Sequence, residues 1–375
     1  MAYKPGSDKI LFFTTGLLTI FGLLMVYNAS SVVAANEHGM SFYVFLKQLV
    51  YALFGFFCLI RLMKTDYHKW QNPKLLLGIL AVCALALILV LTGPEVNGAR
   101  RWIRIGPLSL QPSEITKLAI IVFLAAFLDR HEGDVRKPSR RLVLPFAAIG
   151  FFAAVILIEP DLGQAVTIGI IAAVMLGVAG LSWKFYAAAF VLAIPGFYFL
   201  VMCSPYRWER FLTFWDPYRD PFGSGWHIIQ SLTAVGSGGL TGLGIGAGRQ
   251  KLFFLPEASS DFIFAVIGEE LGFLGTCAIT CGFLVYFFRG MKIVLRSSDR
   301  FGFYLALGIT LMVVLQGLIN ISMVLAMIPT KGIALPFLSQ GGSSLLLNLV
   351  ATGILLNLSY SNQLAVDTQA GKFGK

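Results

Sequence analysis

Charge is what this sequence has least of. Only 13% of its 375 residues are Asp, Glu, Lys or Arg, against 57% that are hydrophobic, and the mean hydropathy is +0.78. A soluble domain carries about a quarter of its residues as charges to keep a solvated coat, so this balance excludes an ordinary water-soluble fold. Histidine is scarcer still. His38, His68, His131 and His227 are dispersed, with no metal-ligand spacing. Of the five cysteines, Cys58, Cys83, Cys277 and Cys281 lie within apolar runs and Cys203 at the end of one, so no disulfide framework is implied. Cys277 and Cys281 share a helix face, but no His or Cys set accompanies them, and they read as packing thiols. No Walker A or Gly-x-Ser-x-Gly motif occurs. A net charge of +10 would point to nucleic acid in a soluble protein. Here the basic residues sit between apolar runs and no basic domain stands apart, so lipid headgroups and topology explain them and no nucleic acid is expected.

What the sequence has in quantity is long apolar runs, at about 10–30, 45–63, 75–92, 115–128, 142–158, 164–181, 185–202, 262–288, 301–328 and 345–360. Each approaches the length that a hydrocarbon core of about 30 Å requires. The expected fold is an all-α polytopic membrane protein of about ten transmembrane helices, forming one domain over 1–375. Extracytoplasmic loops are expected at about 93–112, 204–260 and 329–343, the largest between helices seven and eight. The first run is too long for a signal-peptide core and reads as an uncleaved span.

Lysine and arginine set the orientation. With the N-terminus inside, the inner segments hold Lys4, Lys9, Arg61, Lys64, Lys69, Lys74, Arg130, Arg136, Lys137, Arg140, Arg141, Lys184, Arg289, Lys292, Arg296, Arg300, Lys372 and Lys375. These are 18 of the 29 basic residues, on short dense loops, so both termini are expected in the cytoplasm. Two outer clusters run against that rule: Arg100, Arg101 and Arg104, then Arg207, Arg210, Arg219, Arg249 and Lys251. They suit either headgroup contact or a site for a phosphate-bearing ligand. The long outer loop is first aromatic (Trp208, Phe211, Phe214, Trp215, Tyr218, Phe222), then includes a short helix near 226–235, then is crowded with glycine from Gly236 to Gly248. The glycine run suits a permissive loop approaching a bulky ligand.

Ionisable residues at membrane depth are costly and mark function or pairing. Glu114 and Lys117 share a helix face, three residues apart, and are expected to pair, behind the helix-starting Pro112. Glu159 and Asp161 form a second acidic pair. Asp261, opening the eighth span, suits a helix N-cap, which would lower its pKa, or catalysis. Glu269 and Glu270 lie about 12–14 Å deeper along that helix, too deep to share a site with Asp261, and suit hydrogen bonding within the bundle or an ion path. Lys331, followed by Gly341-Gly342-Ser343-Ser344 at a helix start, could bind phosphate oxygens.

Six stretches, in order, resemble the SEDS family of cell-wall polymerases, the FtsW/RodA/SpoVE group. They are Asn97-Gly98-Ala99-Arg100-Arg101-Trp102-Ile103, Gln111-Pro112-Ser113-Glu114, Glu159-Pro160-Asp161-Leu162-Gly163, Pro256-Glu257-Ala258-Ser259-Ser260-Asp261-Phe262-Ile263-Phe264, Gly268-Glu269-Glu270-Leu271-Gly272 and Pro336-Phe337-Leu338-Ser339-Gln340-Gly341-Gly342-Ser343-Ser344. Pro329-Thr330-Lys331-Gly332 is most similar to the FtsW or SpoVE branch, while Gln340 departs from the tyrosine common at that place.

The resemblance implies a peptidoglycan glycosyltransferase that polymerises lipid II on the outer face of the bacterial inner membrane in cell division, with Asp261 aligned to the family's essential carboxylate. It implies an inverting displacement of undecaprenyl pyrophosphate, with Asp261 as general base. Arg100, Arg101, Arg104, Arg210, Arg249, Lys331 and Ser343 are the candidates for holding pyrophosphate or sugar. Glu114, Lys117, Glu159, Asp161, Glu269 and Glu270 are expected as supporting charges. No cofactor is evident. A divalent cation, Mg or Mn, is an alternative source of positive charge, but no protein cage for one is evident, and no protein metal site is expected. The implied partners are lipid II, a class B penicillin-binding transpeptidase and other divisome membrane proteins. A lipid II flippase and a non-catalytic divisome scaffold remain alternatives.

Overall fold

The computed structural model describes residues 7–95, 99–106, 108–135, 139–198, 202 and 205–373. Lys4, Asn97, Gly98, Arg136, Lys137, Cys203 and Lys375, invoked above, lie outside the described residues, and the side chain of Lys372 is not described.

Local chemistry sets most helix ends. α1 (Lys9–His38) is opened by Asp8, whose carboxylate accepts from Leu11 N at 2.9 Å, and closed by Gly39 in the left-handed region. α2 (Tyr43–Met63) leads through a short 3₁₀ turn to α3 (Pro73–Val90), which has proline at its first position and Asn72 as its cap. A small antiparallel hairpin follows, β1 (Ile103–Ile105) on β2 (Leu108–Leu110), within the loop expected at about 93–112. α4 (Pro112–Val135) and α5 (Val143–Ile158) come next. The carboxylate of Asp161 accepts from Gln164 N at 3.1 Å and starts α6 (Leu162–Val178). α7 is Trp183–Phe197. The long outer segment then holds two helices, α8 (Pro205–Trp215) and α9 (Trp226–Ser237). α10 (Ile263–Leu295), α11 (Arg300–Val324) and α12 (Gly342–Phe373) complete the chain.

Among the described residues seven helical stretches are long and apolar enough to cross a membrane: α1, α2, α3, Arg140–Ile158 (which includes α5), α10, α11 and α12. α6 and α7 are apolar but shorter, and α4 carries charge. α11 and the apolar part of α12 lie at the centre of the bundle, α11 against α10 and α4, α12 against α2. Phe13, Leu17, Leu77, Leu85, Phe190 and Leu192 are exposed on the outside. This surface is apolar because its solvent is acyl chain.

The bundle interior is not dry of charge. Glu114 and Lys117 stand 3.0 Å apart and fully buried. Lys117 donates to Gln316 at 2.7 Å, Gln164 to the Glu114 carboxylate at 2.6 Å, and Gln316 to Ser344 at 2.9 Å. A buried ion pair survives only when its remaining donors and acceptors are met in this way.

α10 is not the continuous span that its apolar run suggests. Gly272 sits at φ 64°, ψ −160° and breaks it. Glu269 and Glu270 would normally accept from Phe273 N and Leu274 N, four residues on. Instead they accept from Leu243 N and Gly244 N, both at 3.0 Å. Phe273 N and Leu274 N turn to the carbonyls of Gly239 and Leu240, at 2.8 and 3.1 Å. The glycine segment thus exchanges backbone partners with a broken helix. A Cβ on Gly242 would lie 2.1 Å from the Glu270 carbonyl, which is why small residues crowd there. Gly238 approaches the Gly268 carbonyl in the same way, so this part of the run packs on a helix backbone.

Candidate active site

A cavity of about 820 Å³ opens between α2, the hairpin, α8, α9, the residues leading into α10 and the 329–342 segment. Asp261 lines it, two residues before α10 begins. Its carboxylate is not a helix cap: Phe262 occupies the N-cap position, without a side-chain bond. The place is fixed through the backbone, since Asn320 of α11 donates to the Asp261 carbonyl at 2.8 Å and to that of Ile333 at 2.8 Å. Gly332 passes so close that a Cβ would meet the Asp261 carboxylate at 3.2 Å. The lowered pKa expected of a cap is accordingly reversed. Burial, with the negative charge of Glu257, pushes the Asp261 carboxyl up to about 7 against the pull of Arg210 and Arg101.

Three of the expected cations line the same cavity: Arg101, Arg210 and Lys331. Arg101 Nε donates to the Glu159 carbonyl at 3.0 Å and an Nη to the Pro160 carbonyl at 2.6 Å, with Asp161 at 3.9 Å. Arg210, on α8, reaches the Thr330 carbonyl at 3.3 Å. Burial holds the Lys331 ammonium below the usual lysine range, opposed by Asp161. The N-terminus of α12 borders the space through Gly341, Gly342 and Ser344. Its unpaired N–H groups add to the positive end.

Of the other expected residues only Glu114 lines the cavity. Arg100 is spent on the Leu91 carbonyl, Arg104 is exposed on β1, and Arg249 is exposed, its backbone N–H bonded to Glu269. Ser343 is fully buried and clamps the hairpin, accepting from Gln111 N at 2.9 Å and donating to the Ser109 carbonyl at 3.0 Å. Glu114 touches the cavity floor together with Gln164. Asp161 lies beneath Arg101 and accepts from Gln111 at 3.2 Å. Glu269 and Glu270 do not line the cavity. They hold the outer segment, Glu269 through Arg249 N and Gln250 N, Glu270 through Gly246 N and the Lys251 ammonium at 2.5 Å.

Sequence reasoning passed over several lining residues. Glu257 was visible only as part of a motif. Lys47, Gln48 and Tyr51 sit within the apolar run of α2, and their helical spacing was the available signal. His227 lines the wall from α9 and stacks on Phe262, ring centroids 6.1 Å apart. Among the described residues no group of three or more His, Cys, Asp or Glu is placed to hold a metal ion. The positive charge that the described residues offer here is that of Lys47, Arg101, Arg210, Lys331 and the α12 terminus.

A helical bundle with a lipid-facing apolar surface and a charged cavity beside a half-buried carboxyl defines a polytopic membrane protein with a polar site. The family model of the FtsW/RodA/SpoVE cell cycle proteins matches residues 8–364, and the chain belongs to that family. It is 42% identical over 355 residues to the probable peptidoglycan glycosyltransferase FtsW of Geobacter metallireducens, covering 94% of each chain. It is 43% identical over 360 residues to the stage V sporulation protein E of Bacillus subtilis, covering 95% of this chain and 98% of that one. A chain in a peptidoglycan synthase complex, solved to describe how polymerisation and crosslinking are coordinated, superposes with a TM-score of 0.78 at 28% identity, covering 95% of this chain and 98% of that one. The protein is a multi-pass component of the cytoplasmic membrane.

Proposed function

We propose that the protein is a peptidoglycan glycosyltransferase that polymerises lipid II at this cavity, with Asp261 as general base. The observation that carries the reading is the Asp261 carboxyl lining a cavity together with Lys47, Arg101, Arg210 and Lys331, where burial pushes it up to about 7. A general base works best with a pKa near the operating pH, and an ordinary aspartate is too weak. The acceptor sugar's 4-hydroxyl oxygen attacks the anomeric carbon of the donor, and its proton passes to Asp261. The bond from that carbon to the phosphate oxygen breaks, and undecaprenyl pyrophosphate leaves with the electron pair. A single displacement inverts the α-linkage to β. Arg101, Arg210 and Lys331 take up the charge growing on the pyrophosphate, which is where fixed cations lower a barrier. The likeness to a chain of a peptidoglycan synthase complex supports pairing with a class B penicillin-binding transpeptidase.

The test is glycan polymer formation by the protein reconstituted with its transpeptidase and lipid II. Wild type yields polymer, and folded Asp261→Ala and Asp261→Asn yield none. Polymer from all three would remove Asp261 from the chemistry. Transport of labelled lipid II across liposomes, undiminished by Asp261→Ala and lost on substituting Glu114 or Lys117, would instead favour a flippase using the polar floor of the cavity.

A further inference from the structure

Glu159 has no part in that chemistry, yet its setting is unusual. The residue is 0% exposed, and among the described residues neither carboxylate oxygen has a hydrogen-bond partner. An ionised carboxylate so placed would lose its hydration with nothing in return, which is among the most costly arrangements in a protein interior. Its own main-chain carbonyl, however, is occupied by Arg101 Nε, and the next carbonyl by an Arg101 Nη. The Arg101 guanidinium is therefore seated on neutral carbonyls, with Asp161 only at 3.9 Å, and keeps its charge for the cavity it lines.

We propose that Glu159, carried as the neutral acid, is a positioning residue: by staying uncharged it leaves the Arg101 guanidinium seated on the main-chain carbonyls and available to the pyrophosphate. Ionisation would place a second negative charge near Arg101, favour a direct ion pair and withdraw the cation from the cavity. The charged groups facing Glu159 are Asp161 in its own turn and Arg101 from the strand leading into the hairpin. Glu114 and Lys117 of α4 and Lys331 of the 329–342 segment act on Asp161. Burial and Asp161 outweigh Arg101 and push the Glu159 carboxyl up to about 8, consistent with a proton retained at neutral pH.

This inference rests on the polymerase reading, so its test includes readouts that need no turnover. Infrared difference spectra of the full chain in lipid, wild type against Glu159→Gln, report the carbonyl stretch of a buried protonated carboxyl. That band is expected in wild type at neutral pH, lost above about pH 8, and absent from the variant. On the same samples, affinity for undecaprenyl pyrophosphate is expected to weaken about tenfold in wild type well above that pH, as one charge-assisted contact is lost, and to stay level in Glu159→Gln. In turnover the same change appears as a fall in kcat/KM for lipid II above about pH 8 that is smaller in Glu159→Gln. Glu159→Met repeats the comparison if a buried amide is not tolerated. Coincident infrared spectra, or an alkaline weakening that persists in both variants, would overturn the proposal. Absence of wild-type polymer with the band and the binding profile intact would count against the polymerase alone.

Discussion

At the scale of single residues the cavity is governed by what burial does to charge. Asp261 must be ionised to accept a proton, so the polymerisation rate is expected to climb as pH rises through about 7, which initial rates across that range will show. The same shift has the opposite sign for stability. A carboxyl whose folded pKa stands above its ordinary value of 3.8 binds its proton more tightly in the native state, so its contribution falls as pH rises from about 4 to about 7. Asp261→Asn is therefore expected to melt higher than wild type above pH 7, by on the order of 1 kcal/mol because the group is half-buried, while making no polymer. Glu114 and Lys117 are fully buried and answer differently. Removing one partner leaves an uncompensated charge and is expected to cost about 3–5 kcal/mol, whereas Glu114→Gln with Lys117→Met together cost less than the worse single change. Thermal melts of the three variants in one detergent decide this.

At the scale of elements the feature to probe is the exchange between the glycine segment and broken α10. Gly272→Ala has to place a Cβ 2.4 Å from Gly242 N at a positive φ, and Gly242→Ala one 2.1 Å from the Glu270 carbonyl. Each is expected to lower stability by about 2 kcal/mol or more, with faster amide exchange over 239–251, while Gly16→Ala, in open space on helical α1, raises stability slightly and leaves that exchange unchanged. This is also where the sequence was least legible. Helices with a clean apolar run and a capping residue, such as α1 behind Asp8 or α6 behind Asp161, could be read from spacing and caps. The pairing of Glu114 with Lys117 followed from helical periodicity alone. The break at Gly272 could not, because its cause is a partner some thirty residues earlier in the chain. Sequence depth placed Glu269 and Glu270 far from the outer loop, and the loop folds down to meet them. For the same reason Arg101 and Arg249 looked equivalent as outer cations. Which of them faces the cavity depends on which carbonyls and carboxylates each meets after folding.

At the scale of the whole molecule, the described bundle is layered by burial. α11 and the start of α12 are enclosed, whereas α7 presents Trp183, Phe190, Val191 and Leu192 outward. Amide exchange in lipid is expected to be slowest in α11 and fastest in α7, and an α7 slower than α11 would contradict that layering. The cavity belongs to this scale as well, since its wall is assembled from α2 near one end of the chain and the 329–342 segment near the other. Its cations become neighbours only when nearly the whole sequence is in place. The exchanged bonds of α10 carry a similar consequence for how the protein is made. During synthesis Gly239 and Leu240 leave the ribosome some thirty residues before Phe273 and Leu274. Until α10 arrives, those carbonyls and the N–H groups of Leu243 and Gly244 have no protein partner. A nascent chain ending before residue 272 has to keep this segment in water or against the insertion machinery. Commitment of the outer loop to its final depth is thus timed by the emergence of α10, and the Asp261 end of the cavity is set in the same step.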